Sequence, residues 1–387
     1  LMYLLARQGS LYRSRTHVRV PRAEIDAHFA MTRPSITVLI PSYREDTEVV
    51  RATVLSAALQ EFPSMRVVLL IDDPPNPTSA DAIEGLAGCR ALPGEVMDLL
   101  SGPRDRFTAA LETFERTAAG GGAGSLEALR GLAVDFAWAA EWLSAEASRY
   151  PRDSNADEFV ADEVLAALGA DFEVTSLALF AALDEGALVP AERIAQLYRR
   201  LVWTFSAEIS SFERKTFAHL PHDANKAMNL NAYIGLMGHQ YAVMDTRIGK
   251  ILRETDADPT LVIPDTDYLL TLDADSVLLR EYCLRLTYHL ELPGNERIAV
   301  IQTPYSAFRG APTRLERIAG ATTDIQHIVH QGLTYYNATF WVGANAVIRK
   351  VALNDIEEVS YVDGYEVKRY VQPDWSYLSL ETVIPDA

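Results

Sequence analysis

The sequence predicts an α/β protein whose sheet is interrupted by a helical insertion, and three observations carry that reading. Two apolar runs, "SITVLIPSY" (35–43) and "RVVLLIDD" (66–73), flank the amphipathic stretch "TEVVRATVLSAALQEF" (47–62). Continuous apolar, β-branched runs mark parallel strands buried on both faces, and strand, helix, strand over this length makes a βαβ unit with a right-handed crossover. From Ser79 strand-like runs nearly vanish and Ala, Leu, Glu and Arg dominate; near Ala218 the α/β character returns.

Taken in order, residues 1–35 are an N-terminal extension. Its "LMYLLARQGSLYRSRTHVRV" puts an apolar start before arginines, the wrong order for a signal peptide and too short for a span. No unbroken run of eighteen apolar residues follows, so the chain as given is not expected to be an integral membrane protein. Residues 36–78 form the first part of the α/β domain, with Val50, Val54, Ala57, Ala58 and Phe62 on one helix face. Residues 79–215 form the insertion, of three to five helices. Leu129, Leu132, Phe136, Ala140 and Leu143 recur at helical spacing. So do Ile194, Leu197, Leu201, Phe205, Ile209 and Phe212, predicted as one helix opened by Pro190. "AAGGGAGS" (118–125) is a flexible connector with Ser125 as a helix N-cap. The insertion reads as a packing or regulatory module with no chemistry of its own. Residues 216–387 complete the domain: "DYLLTLDADS" (267–276) and "RIAVIQTPY" (297–305) are strands, "TRLERIAGATTDIQHIVHQGL" (313–333) is an amphipathic helix, and "ATFWVGANAVIRK" (338–350) is a strand with a Gly bend.

A chain of 387 residues carries 35 basic and 53 acidic side chains, a net charge of −18. That excludes a general nucleic-acid binder, which needs a basic face. A phosphorylated ligand would need local cations against this repulsive background. The two cysteines, Cys89 and Cys283, read as buried free thiols in a reducing compartment rather than a disulfide.

Ligands of open parallel sheets bind beyond the carboxyl ends of the strands, and this rule sorts the acids. Asp265 and Asp267 precede a strand and fall at the opposite edge, as a turn and cap sequence. Asp273 and Asp275 follow it and fall at the functional edge, together with Asp72 and Asp73 and with Pro41, Ser42, Tyr43 and Glu45. Carboxylates gathered in one crevice repel unless something positive lies among them. Mg²⁺ characteristically takes one or two carboxylates plus phosphate oxygens, so a divalent cation bridging protein and a diphosphate answers both charge sets.

The ordered motifs "VLIPSYRE" (38–45), "LLIDD" (69–73), "NKAMNLNAYI" (225–234), "TLDADS" (271–276), "VIQTPY" (300–305) and "FWVGANAVIRK" (340–350) resemble the inverting family 2 glycosyltransferases, especially their cellulose-synthase-like, processive branch. The resemblance covers residues 36–75 and 220–355 and omits the insertion. It implies a GT-A fold: a Rossmann-like mixed, mainly parallel sheet with flanking helices. It further implies Asp72 or Asp73 at the nucleoside, with Pro41, Tyr43 and Glu45 lining the same pocket. Lys226 would meet the diphosphate, flanked by Asn229 and Asn231, and Asp273 and Asp275 would bind diphosphate and Mg²⁺ or Mn²⁺. Gln302, Trp341, Gly343 and Asn345 would stand on the sugar and acceptor side. The implied substrates are a nucleotide-sugar donor, UDP-linked, and a glycan or lipid-linked acceptor. The expected location is the inner, cytoplasmic face of a membrane within a longer native chain.

Inversion at the anomeric carbon needs a base for the acceptor hydroxyl, and a carboxylate serves. The family's base motif is matched in position by "SLETVIPDA" (379–387), which makes Asp386 the candidate and Glu381 the fallback. Pro385 stands where the family has an acid, and "QPDW" (372–375) is not the family's Gln-x-x-Arg-Trp motif. His327 and His330 are three apart on a helix without a third ligand and read as packing residues; His219 and His222 precede Lys226 in a loop near the diphosphate. No dinucleotide-binding or P-loop glycine motif occurs. The alternatives weighed are a non-catalytic, partner-binding module and a sugar nucleotidyltransferase, whose Gly-rich basic loop is replaced here by "PSYREDTE" (41–48).

Overall fold

The computed structural model describes residues 1–118, 126–223, 225–303, 306–308, 310, 313–341, 343, 345–362, 365–370 and 379–382. Two helices, α1 (Met2–Thr16) and α2 (Arg22–Met31), lead into β1 (Ser35–Ser42), α3 (Thr47–Ala58) and β2 (Ser64–Ile71). Asp46 caps α3 by accepting from the Glu48 amide, which answers one of the orphan donors of the first turn. Along β1 and β2, Ile36, Val38, Ile40, Val67, Leu69 and Ile71 enter one core while Leu39, Val68 and Leu70 enter another. Both faces of the pleat are therefore buried, which is why these runs read as unbroken apolar sequence.

The insertion comprises α4 (Ala80–Thr117), α5 (Leu126–Arg149), α6 (Asn155–Phe159), a π-helical turn at Val160–Ala166, α7 (Ala167–Asp184) and α8 (Ala191–Phe205). Its centre is aromatic: Phe107, Phe136, Phe172 and Phe205 are fully buried, with Phe136 edge-on to Phe172 at 5.4 Å. The connector at 119–125, Ser125 included, lies outside the described residues. The run Asn155–Asp184 is long and apolar enough, by length and composition, to cross a membrane, although 39% of its most apolar window is buried in the protein. Polar residues interrupt that run, so a search for unbroken apolar sequence passes over it.

One predicted helix is corrected. The segment expected to stay helical through Phe212 leaves the helix at Ser206, and β3 (Glu208–Phe212) pairs in parallel with β2. Ile209 and Phe212 are three apart, which shares a side on a helix but opposes faces on a strand. Ile209 indeed joins the core on the insertion side and Phe212 the core on the other. Residues 208–212, read from sequence as insertion, are thus an edge of the sheet.

The chain continues through α9 (Lys226–Ile234), the antiparallel strands β4 (His239–Thr246), β5 (Gly249–Glu254) and β6 (Leu261–Ile263), and β7 (Tyr268–Thr271). Then come α10 (Tyr282–Glu291), β8 (Ile298–Gln302), α11 (Arg314–Tyr335), β9 (Ala346–Arg349), α12 (Lys350–Asn354), the hairpin β10 (Glu357–Val362) and β11 (Tyr365–Tyr370), and β12 (Ser379–Thr382). Among the described residues the main sheet has the order β12-β8-β9-β7-β1-β2-β3, parallel except for β9. This is a mixed, mainly parallel sheet with helices on both sides, a fold of the GT-A type. Its two ends differ: β1, β2 and β7 share one carboxyl edge, where their following loops meet.

Candidate active site

At that edge lies a cavity of about 420 Å³, lined by Pro41, Ser42, Tyr43, Glu45, Asp72, Asn225, Lys226, Asn229, Asp273, Ala274 and Asp275. Each strand end contributes: the turn after β1, the last residue after β2, the loop after β7, and the N-terminus of α9 from the side. The size suits a nucleotide-scale ligand. The edge rule thus separates the two Asp-x-Asp pairs. Asp267, at the far edge, accepts from the Ser35 amide at 2.8 Å and the Ser35 hydroxyl at 2.7 Å, capping the start of β1.

The loop after β7 is fixed from behind. Thr53 Oγ1 donates to the Ala274 carbonyl at 2.7 Å, and Ser56 Oγ accepts from the Leu278 amide at 3.0 Å. Gln60 donates to the Leu279 carbonyl at 2.9 Å and accepts from the Cys283 amide. Thr53 and Ser56 lie three residues apart on the buried face of α3 and Gln60 just beyond its C-cap, a signal visible in the sequence that the apolar reading of that face passed over. Asn345 completes the support: its Oδ1 accepts from the Asp273 amide at 3.2 Å and its Nδ2 donates to Ser276 Oγ at 3.1 Å. Asn345 holds φ 50° and Gly343 φ 91°, which gives the expected bend, but the strand expected over 338–350 begins only at Ala346.

The carboxylates are answered by cations the protein itself supplies. Lys226, first residue of α9, pairs with Asp273. Asp72, nearly fully buried, forms an ion pair with Arg214 at 2.7 Å and lies 3.5 Å from Lys215. Burial raises the Asp72 carboxyl above the usual carboxylate range, and Arg214 and Lys215 pull it back in part. Lys215 also donates to the Asp72 carbonyl at 2.5 Å and stands 5.4 Å from the Tyr43 ring centre, with the Arg44 guanidinium 5.2 Å from the same ring. Arg214 and Lys215 escaped the sequence reading because the pairing spans 142 residues of chain from Asp72 to Arg214. Asn229 donates to the Leu70 carbonyl at 2.9 Å, which docks α9 on β2.

Other predicted residues fall elsewhere. Asp73 accepts from the Arg44 amide at 3.3 Å and does not line the cavity. Gln302 is buried and donates to the Phe340 carbonyl, and Trp341 packs beside the core under β9. Neither they nor Gly343 and Asn345 are on the cavity wall. His219 accepts from the Leu252 amide of β5 and His222 bonds the Phe217 carbonyl of its own loop, so both are engaged with backbone. Glu381 belongs to β12, its backbone beside Ile301 of β8; Asp386 lies outside the described residues, as do Pro385 and residues 372–375.

Asp273 and Asp275 offer hard carboxylate oxygens, a donor set that suits Mg²⁺ or Mn²⁺. Among the described residues no group of three or more His, Cys, Asp or Glu is placed to hold a metal. An ion here would take its remaining ligands from substrate and water. Cys89 and Cys283 are buried and unpaired, away from the cavity.

Comparison with curated proteins gives no match. The model of the family described as Glycosyl transferase family group 2 matches residues 268–376, from the start of β7 through both acids of the Asp-Ala-Asp loop to the segment before β12. On a fold of the GT-A type, that match supports a family 2 glycosyltransferase.

Proposed function

We propose that this protein transfers a sugar, with inversion, from a nucleotide-diphosphate sugar of the UDP type to a hydroxyl of a glycan or lipid-linked acceptor, using Mg²⁺ or Mn²⁺. The observation that carries the reading is the convergence of Asp273, Asp275, Lys226, Asp72 and the Pro41–Glu45 turn on one cavity at the carboxyl edge. Tyr43, flanked by Arg44 and Lys215, offers a ring at the nucleoside end. At the other end the N-terminus of α9 points its dipole at the cavity, where a diphosphate gains from both the dipole and the Lys226 ammonium. A divalent cation held by Asp273 and Asp275 would neutralise charge on the leaving diphosphate.

Exchange of partners is the first step at Lys226. Its ammonium would leave Asp273 for the phosphate oxygens, and the freed Asp273 carboxylate would, with Asp275, be available to hold the cation. Thr53, Ser56, Gln60 and Asn345 hold the Asp273–Asp275 loop still meanwhile, so little ordering is left for the moment of reaction. Asp386, with Glu381 as the fallback, is proposed as the base that takes the acceptor proton. Gln302 and Trp341 would support the sugar and acceptor side from behind.

The reading extends to a membrane surface. Residues 1–19 carry four arginines and no acid in a chain of net charge −18, beside exposed Leu1, Leu4, Leu5 and Leu11. Salt-sensitive sedimentation with phosphatidylglycerol vesicles, and not with phosphatidylcholine, is expected; equal behaviour with both would refute this extension.

The central test is a thermal-shift panel of UDP-, GDP- and ADP-sugars with and without Mn²⁺. One UDP-sugar should stabilise the protein only with the metal, by about 2.7 kcal/mol at a hundred times its Kd. Asp275→Ala should abolish that gain. Stabilisation without metal, or none with any donor, rejects the proposal.

A further inference from the structure

Arg214 is fully buried and takes no part in the chemistry proposed above. Its guanidinium pairs with Asp72 at 2.7 Å and also donates to the backbone carbonyls of Pro221 and Asp223. Asp72 forms one wall of the cavity. Pro221 and Asp223 belong to the loop that delivers Asn225 and Lys226 to another wall. One side chain therefore ties together the two sides between which a nucleotide diphosphate would lie. Burying a guanidinium is costly unless it is paired; here Nη1 and Nη2 of the planar fork serve two carbonyls and a carboxylate at once, while Nε has no hydrogen-bond partner among the described residues. An ammonium, a compact point charge on a flexible stem, could not reproduce that fork.

The neighbouring residue faces the other way. Glu213 binds Arg90 of α4 through two contacts of 2.7 Å, and Arg90 donates to the Pro75 carbonyl at 3.3 Å. The first helix of the insertion is thereby clamped to the strand that leaves it, one residue before Arg214. Lys215, one residue after, donates to the Asp72 carbonyl. Three consecutive side chains thus connect the insertion, the loop before α9 and the end of β2.

We propose that Arg214 is a positioning residue: it holds the Lys226 loop against the end of β2, and the helical insertion sets its place through the Glu213–Arg90 clamp. The ligand part rests on the nucleotide-sugar reading, whereas the fixing of the loop does not.

Two measurements on Arg214→Lys test it; should that variant fail to fold, Asp72→Asn/Arg214→Met carries the hydrogen-exchange measurement alone, because Asp72 itself lines the cavity. Hydrogen exchange of residues 221–228 should accelerate tenfold or more while the strands of the main sheet keep their protection. Calorimetry with Mg²⁺ should show UDP affinity falling about tenfold and UMP affinity changing less than twofold. In a Lys226→Ala background the same change at Arg214 should leave the UDP-to-UMP ratio where Lys226→Ala alone puts it. Unchanged exchange at 221–228, equal losses for UMP and UDP, or additive losses in the Lys226→Ala background would each overturn the proposal. Wild-type protein that binds neither nucleotide would reject the functional reading instead, and the exchange result would then decide the role of Arg214 alone.

Discussion

Lys226 and Asp273 are both half-exposed, so their ion pair is screened and contributes on the order of 1 kcal/mol or less. That is small enough for a ligand to replace and large enough to measure. Lys226→Ala leaves Asp273 without its cation. Mn²⁺ should then bind the protein alone up to about fivefold more tightly, the equivalent of ~1 kcal/mol, while affinity for Mn²⁺-UDP falls. Titration calorimetry of the two ligands checks this, and weakening of both would refute the exchange of partners. A second residue-scale outcome concerns the loop itself. Thr53→Val keeps shape but strands the buried Ala274 carbonyl, which should cost about 1–3 kcal/mol in urea unfolding and weaken Mn²⁺ binding in step. Stability lost with Mn²⁺ affinity intact would separate the hydroxyl from the site. The place of Asp273 and Asp275 at the carboxyl edge was legible because strand polarity alone decides which acids lie there. Arg214 and Thr53 were not, since their partners at Asp72 and Ala274 are distant in sequence and only the fold supplies them.

Helix α11 shows what an element's own sequence can and cannot say. Its start is legible: Thr313 and Glu316 form a reciprocal capping box, each side chain bonded to the other's backbone amide. Its partner is not, because α1 packs on it through small residues rather than an apolar stripe. A Cβ on Gly332 would fall 1.6 Å from the Ala6 carbonyl oxygen, and one on Gly9 2.6 Å from the Gly332 carbonyl oxygen. Gly332→Ala should therefore displace α1 and make residues 1–20 the first site of limited trypsin cleavage; an unchanged digestion pattern would refute the contact. The same helix carries a pH dependence. Burial holds His327 and His330 below the usual histidine range, with Arg13 adding to the effect at His327 and Asp324 opposing it. Folded, these rings stay neutral below pH 6.5, whereas the unfolded chain takes up protons there, so stability falls as pH drops beneath 6.5. His327→Gln/His330→Gln should flatten the decline in Tm between pH 6.5 and 5.5. An undiminished slope would place the titration elsewhere. The error at α8 has the same root as the miss at α1: a spacing of three fits a helix face and two strand faces alike, and only pairing with β2 decides it.

At the scale of the molecule, the alternation of α/β, helical and α/β segments was legible from composition and period, but how the pieces are fastened was not. The fastening is ionic. Arg22 of α2 pairs with Asp26, with Glu61 in the connection between α3 and β2, and with Glu281 at the head of α10. Insertion helices join the same network, Arg193 through Asp26 and Arg200 through Glu61 and Asp171, while Asp171 of α7 also pairs with Arg280 just before α10. In a chain of net charge −18 these arginines let buried acids from three parts of the protein share one junction. Burial pushes Glu61 above the usual carboxylate range, with Arg22 and Arg200 drawing it back, while Arg22 and Arg285 outweigh burial at Glu281 and leave it below. Arg22→Met removes the cation and leaves its acids buried and under-compensated, which should cost about 3–5 kcal/mol. Glu61→Gln in the same chain removes one of the stranded charges, so the double variant should be more stable than Arg22→Met alone. The deficit of Arg22→Met should also shrink as pH falls toward 5, because Glu61 without Arg22 takes up its proton at still higher pH than before. Urea midpoints of the three variants at pH 7.5 and 5 test both statements. Losses that simply add, or a deficit that grows on acidification, would mean that packing around Arg22 rather than its charge fastens the insertion and the N-terminal helices to the sheet.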